Sequence, residues 1–83
     1  MKTKEIREKL DAKFMSVSYS GKTKLWTVKS HYFYRVQGVS LGGLQGSVKR
    51  LFPEAILVES DDRYNVWPKE SYRYVKFSIP GQV

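Results

Sequence analysis

Basic and aromatic side chains alternate in two stretches of this chain, KSHYFYR and SYRYVKFSI. Every second residue of a strand points to the same face, so each stretch would place its alternating residues together. The two sets are Lys29, His31, Phe33 and Arg35, and Tyr72, Tyr74 and Lys76. Aromatic rings stack on unpaired bases and cations pair with phosphates, so two such strands side by side would bind nucleic acid. The alternative is structural, because Tyr and Phe favour strands and helices cover one face of a small sheet.

The charge of the chain is +7, and it is unevenly distributed. Residues 1–50 contain eleven Lys or Arg and three acidic residues. Residues 51–83 contain four Lys or Arg and five acidic residues. No acidic residue lies between Asp11 and Glu54. The basic residues of this stretch extend the predicted site to Lys22, Lys24, Lys49 and Arg50. Such a surface attracts polyanions at long range, and equally it keeps a small protein soluble. We therefore predict a small basic binding protein whose partner is DNA or RNA.

His31 is the only histidine of the chain, and histidine is the side chain that most often acts as a general acid or base. The tripeptide Lys29-Ser30-His31 resembles the Gly-Ser-His strand motif of small RNA-cleaving toxins from bacterial toxin–antitoxin pairs. That resemblance implies a compact α+β domain and a ribonuclease that depends on His31. The glycine of the family is replaced here, and this chain has strands after its second helix, where the family ends. A lone histidine on a strand is more often a packing or surface residue. We predict a protein that is not an enzyme and keep the ribonuclease as a third hypothesis.

The sequence contains no motif for a metal ion or a cofactor. Its acidic residues Glu59, Asp61, Asp62 and Glu70 lack the spacing of a calcium-binding loop, and the chain has no cysteine. We expect the stretch DDRYNVWPKE to be a polar, solvated loop. The glycines of SLGGLQGSVKRLF match neither a Walker A loop nor a dinucleotide-binding fingerprint. We therefore predict no cofactor and no metal site.

Three glycines, Gly42, Gly43 and Gly46, lie in a segment whose apolar residues have helical spacing. Each costs a helix roughly 1 kcal/mol relative to alanine. Three explanations are open: the close approach of a strand, loop or subunit, an anion at the helix N-terminus, or a helix that becomes ordered on binding a partner. We favour the first.

The apolar periodicity predicts two helices, KTKEIREKLDAKF and SLGGLQGSVKRLF. The apolar stripe of the first consists of Ile6, Leu10 and Phe14. The stripe of the second consists of Leu41, Leu44, Val48 and Leu51. Thr3 and Ser40 are the predicted N-caps, because their hydroxyls accept bonds from free backbone N–H groups. Pro53 ends the second helix, since proline cannot continue one.

Four segments have the composition of strands, FMSVSYSG, KLWTVKSHYFYRVQ, EAILVES and SYRYVKFSI. In the first, Met15, Val17 and Tyr19 share a face, and Ser20-Gly21-Lys22 then forms a hairpin turn. The second is one long strand or two strands bent near Lys29-Ser30. EAILVES is buried on both faces if it is central. The prediction is a single α+β domain over residues 1–83, with the order α-β-β-α-β-β and two helices packed on one face of a small, mainly antiparallel sheet.

The opening KTKEIREKLDAKF, followed by SVSYSG, resembles small domains of phages, plasmids and other mobile elements, among them the large polyvalent protein associated domains. The resemblance covers about residues 1–60 and implies a mobile-element accessory protein. It supplies the second hypothesis, a phage or mobile-element protein of the anti-CRISPR or anti-restriction type. Such a protein would bind and inhibit a host defence protein or a nucleic-acid-handling enzyme, through a patch near Trp67 and the glycine-bearing helix.

The sequence contains no apolar run long enough for a membrane-spanning helix. We therefore predict a cytoplasmic protein without a membrane partner. A glycine-bearing helix and a long edge strand are both compatible with a dimer, and neither requires one.

Overall fold

The computed structural model describes residues 1–32, 40–65 and 70–82. Within these ranges the elements are α1 (Thr3–Lys13), β1 (Ser16–Ser20), β2 (Leu25–Tyr32), α2 (Leu41–Leu51), β3 (Ile56–Asn65) and β4 (Glu70–Ser78). The four strands form one antiparallel sheet in the order β1-β2-β4-β3. The predicted α+β class and the predicted order of helices and strands are confirmed.

The hydrophobic core lies between the two helices and one face of the sheet. Its largest members with no or almost no exposed surface are Ile6, Leu10, Trp26, Val28, Val48, Phe52, Val75 and Phe77. Burying an aliphatic or aromatic side chain of this size contributes about 1.5–3 kcal/mol. Two cations of α1 lie over aromatic core residues, with Arg7 5.6 Å from the ring centre of Trp26 and Lys9 6.0 Å from that of Phe52. The helices therefore cover one sheet face and leave the other uncovered by helix.

The N-cap prediction is confirmed for α2 and wrong for α1. The Ser40 hydroxyl accepts a hydrogen bond from the backbone N–H of Gly43 at 3.0 Å. Helix α1 instead begins at Thr3, and its N-cap residue Lys2 makes no side-chain cap bond. The Thr3 hydroxyl accepts a bond from Gln82 Nε2 at 2.9 Å, so it joins the first helix to the C-terminal segment.

Strand β1 begins at Ser16, so the prediction that Met15 shares a face with Val17 and Tyr19 is wrong. Met15 precedes the strand and is fully exposed. The predicted hairpin turn is confirmed, and it is closed by a hydrogen bond from the Lys24 N–H to the Ser20 carbonyl at 2.7 Å. Lys24 has a φ of 62°, so a lysine rather than Gly21 takes the left-handed conformation in this turn.

Strand β2 runs without a break through Lys29 and Ser30 to Tyr32. Of the two alternatives, one long strand or two strands bent near Lys29-Ser30, the structure has a single strand at Lys29 and Ser30. The part of KLWTVKSHYFYRVQ that follows Tyr32 lies outside the described residues.

Strand β3 lies at an edge of the sheet, so the central position on which burial of both its faces depended is not the one it takes. Ile56 and Val58 are 57% and 56% exposed. The strand also extends through Asp61–Asn65, which the sequence assigned to a loop, and each of these residues pairs with a residue of β4. Asp and Asn have low strand propensity, and the ladder with β4 overrides it.

Gly42 and Gly46 of α2 are not explained by packing within the described part of the fold. A Cβ atom built on Gly42 or Gly46 would meet no atom within 4 Å. Close approach by another described segment of this chain is therefore excluded at these two positions. Among the residues of the three described ranges, no helix is both long and apolar enough to cross a membrane.

Candidate nucleic-acid interface

The sheet face away from the helices is called the open face, and the strand register arranges its residues in rows. The first row runs across all four strands as Ser18, Thr27, Lys76 and Glu59. The second row consists of Ser16, Lys29, Tyr74 and Asp61. In the third, the backbone register places Tyr72 between His31 and Arg63. Lys29 and the backbone of His31 thus lie on a central strand beside the set of Tyr72, Tyr74 and Lys76, whereas Phe33 and Arg35 lie outside the described residues.

A groove of about 410 Å³ lies on the open face. Its lining consists of Ser18, Thr27, Lys29, Glu59, Arg63, Tyr72, Tyr74 and Lys76. The Lys29 ammonium is 4.9 Å from the ring centre of Tyr72, and the Lys76 ammonium is 5.9 Å from that of Tyr74. Cations over aromatic rings at such distances are attracted by the negative ring face. The groove therefore combines three cations with two tyrosine rings.

Tyr74 is a buried residue of this groove, and its hydroxyl contacts two of the charged side chains that line it. It is only 5% exposed, and its hydroxyl donates a hydrogen bond to Glu59 Oε1 at 2.8 Å. Arg63 Nη2 in turn donates to the Tyr74 oxygen at 3.4 Å, and this hydrogen bond raises the pKa of the Arg63 guanidinium above its ordinary value. Because Tyr74 is buried in this way, its ring has little surface to offer a base. Tyr72 keeps an intermediate exposure and is the better candidate for stacking.

Strand β3 adds acidic residues to the open face that the sequence interpretation placed in a loop. Glu59 lies 3.7 Å from the Lys76 ammonium as well as accepting the Tyr74 bond. Asp61 pairs with Tyr74 in the register of the second row. The signal that was available is the period-two spacing of Glu59, Asp61 and Arg63, which is the alternation of a strand face. Asp62 points to the opposite face, where it forms a 2.9 Å ion pair with Arg73.

The remaining predicted site residues lie elsewhere in the fold. Lys22 and Lys24 belong to the hairpin turn between β1 and β2. Lys49 and Arg50 are in the last turn of α2, which packs on the other side of the sheet. Lys49 Nζ donates to the carbonyl oxygens of Pro53 and Ala55 at 2.9 and 2.8 Å, so it holds the turn between α2 and β3 against the helix. Phe33 and Arg35 lie outside the described residues.

No group of three metal-ligating side chains occurs among the residues that the structure describes. Comparisons with protein-family models, with curated proteins and with solved structures gave no match. The resemblances to toxins and to mobile-element domains therefore stay predictions.

Proposed function

We propose that this chain is a small, non-catalytic nucleic-acid-binding protein and that the open face is its binding surface. The observation that supports the proposal is the convergence of Lys29, Lys76 and Arg63 around the tyrosines of one groove. Phosphates would pair with the ammonium and guanidinium groups, and hydroxyls such as those of Ser18 and Thr27 would donate further hydrogen bonds. A cytoplasmic location, where nucleic acid is accessible, belongs to the same proposal.

The test is a fluorescence-anisotropy titration with single-stranded and double-stranded DNA and RNA at two salt concentrations. Three phosphate contacts on a single strand correspond to a slope of about −2 in a plot of log K against log salt. Affinity would then fall roughly 20-fold between 50 and 200 mM salt. Binding that is absent at low salt, or indifferent to salt, would exclude this function.

Two variants with equal change in charge locate the surface. Lys29→Ala removes a cation of the groove, whereas Lys4→Ala removes an exposed cation of α1, on the far side of the sheet. We expect Lys29→Ala to weaken binding several-fold and to reduce the salt slope by about 0.7, with Lys4→Ala close to the wild type. Equal effects of the two variants would mean that the protein binds through its net charge alone.

The RNA recovered from the titration also tests the ribonuclease hypothesis. Intact RNA on a gel is the result we expect. Cleavage that disappears in His31→Ala would support the toxin-like function instead.

The second candidate is a mobile-element protein that binds and inhibits a host defence protein. The observation that favours it is the pair of exposed apolar residues Ile56 and Val58 on edge strand β3. The patch near Trp67 lies outside the described residues. This function predicts one specific protein partner in a pull-down, lost in an Ile56→Lys/Val58→Lys double variant, and no affinity for nucleic acid.

A further inference from the structure

Two of the three groove cations, Lys29 and Lys76, lie on the two central strands of the open face. Lys29 lies on β2 and Lys76 on β4, with Tyr72 and Tyr74 between them in the register. On one side of these two strands β1 contributes the uncharged hydroxyls of Ser16 and Ser18. On the other side β3 contributes two acidic residues, Glu59 across from Lys76 and Asp61 across from Tyr74, and one cation, Arg63 across from Tyr72.

A duplex would bring two phosphate backbones to this surface, separated by a groove about 6–12 Å wide. Neighbouring strands are about 4.8 Å apart, so β3 lies about 10 Å from β2 across the sheet. With one backbone over Lys29, the second would lie over Glu59 and Asp61 or beyond the β1 edge of the sheet. The first position holds two carboxylates against one cation, Arg63, so its net negative charge repels phosphate. The second position offers no sheet surface to bind phosphate. A single strand has one backbone and meets neither problem.

The groove also suits an unpaired base. Its volume of about 410 Å³ is near the lower end of the range for small-molecule sites, roughly 300–1,000 Å³, which fits one nucleotide unit. Tyr72 retains exposed surface at the groove, whereas Tyr74 does not. Bases inside a duplex already stack on both faces, so only an unpaired base is able to stack on the Tyr72 ring.

From this charge pattern we infer that the open face selects single-stranded nucleic acid and rejects duplex, with one base on Tyr72 and its phosphate at Lys29. This inference rests on the proposed function and names its ligand class. The base takes the place that the Lys29 ammonium occupies 4.9 Å above the ring, and the ammonium turns to the phosphate. The acidic residues of β3 supply the selectivity, because they repel the second backbone.

The experiment compares one labelled 12-nucleotide single strand with its blunt duplex, in wild type and in a Glu59→Gln/Asp61→Asn double variant. These substitutions remove the charges and retain a carbonyl oxygen as acceptor, so the bonds from Tyr74 and from the Asp62 N–H keep a partner. We expect the wild type to bind the single strand at least tenfold more tightly than the duplex. In the double variant the duplex should gain more affinity than the single strand. The ratio of single-strand affinity to duplex affinity should therefore be smaller than in the wild type.

Two substitutions at Tyr72 test the stacking contact separately. Tyr72→Phe keeps a ring and should bind the single strand within about twofold of wild type, whereas Tyr72→Ala should lose roughly tenfold or more. Circular dichroism confirms that each variant is folded before it is titrated. Equal binding of single strand and duplex, unchanged in the double variant, would overturn the inference and leave the proposed function standing. The absence of binding to either ligand would overturn both.

Discussion

The Tyr74 hydroxyl donates a 2.8 Å hydrogen bond to Glu59 Oε1, and this bond ties edge strand β3 to central strand β4 on the open face. The same oxygen accepts a hydrogen bond from Arg63. One buried tyrosine therefore holds both the acidic Glu59 and the basic Arg63 of β3 in place. The charges around the groove are therefore positioned by a contact within the sheet.

Removal of this hydroxyl should weaken the fold. We expect Tyr74→Phe to lower the free energy of unfolding by about 1–2 kcal/mol, because a charge-assisted hydrogen bond is lost while the ring stays packed. Urea unfolding followed by circular dichroism measures the change. Glu59→Gln, which retains an acceptor oxygen, should cost less than Tyr74→Phe. A Tyr74→Phe variant as stable as the wild type would show that the bond makes no net contribution to the free energy of unfolding.

Gly42 and Gly46 of α2 should be replaceable by alanine with a gain in stability. Gly42→Ala and Gly46→Ala add a methyl group into open space, so each should raise the free energy of unfolding by about 0.5–1 kcal/mol. Gly81→Ala is the matched control, since its Cβ also meets open space but its φ is +79°. That variant should lose about 1–2 kcal/mol from backbone strain. Thermal unfolding measures the stability of the three variants relative to the wild type. A loss of stability in Gly46→Ala would reveal a contact that requires glycine.

The hairpin turn contains a strained lysine that glycine should relieve. Lys24→Gly removes a side chain from a left-handed residue, whereas Lys22→Gly makes the same change in charge at a position without a positive φ. We expect Lys24→Gly to be more stable than Lys22→Gly by about 1 kcal/mol, since left-handed backbone costs a non-glycine residue about this much. Chemical unfolding at matched salt gives the comparison. The opposite order would mean that the Lys24 side chain contributes more than its strain costs.

The amide of Gln82 should stabilise the buried tryptophan. Trp26 has no exposed surface, and its Nε1 donates to Gln82 Oε1 at 2.9 Å, while Gln82 Nε2 donates to Thr3. Gln82→Ala should lower the free energy of unfolding by about 1–3 kcal/mol, because a buried indole N–H loses its acceptor. Calorimetry measures the loss. Thr3→Val removes the acceptor of the outer bond and should cost less. An unchanged transition in Gln82→Ala would contradict this assignment.

Local patterns in the chain determined most of the elements. The four-residue spacing of Ile6 and Leu10 is sufficient for α1, and Ser40 with Pro53 marks both ends of α2, because caps and breakers act on the backbone within one turn. The alternation of Tyr72 and Tyr74 with Val75 and Phe77 also separated the two faces of β4 correctly. These features depend on neighbours in sequence, and a sequence displays them directly.

Strand order and the identity of the open face depended on contacts far apart in the chain. Only the pairing of β4 with both β2 and β3 placed EAILVES at an edge and extended β3 through Asp61. Burial of Tyr74 and the approach of Glu59 to Lys76 follow from that pairing. Period-two alternation states which residues share a face, but it does not state which face the helices cover or which strand lies alongside. For that reason the sequence alone determined the candidate cations of β2 and β4, and only the tertiary structure placed acidic residues beside them.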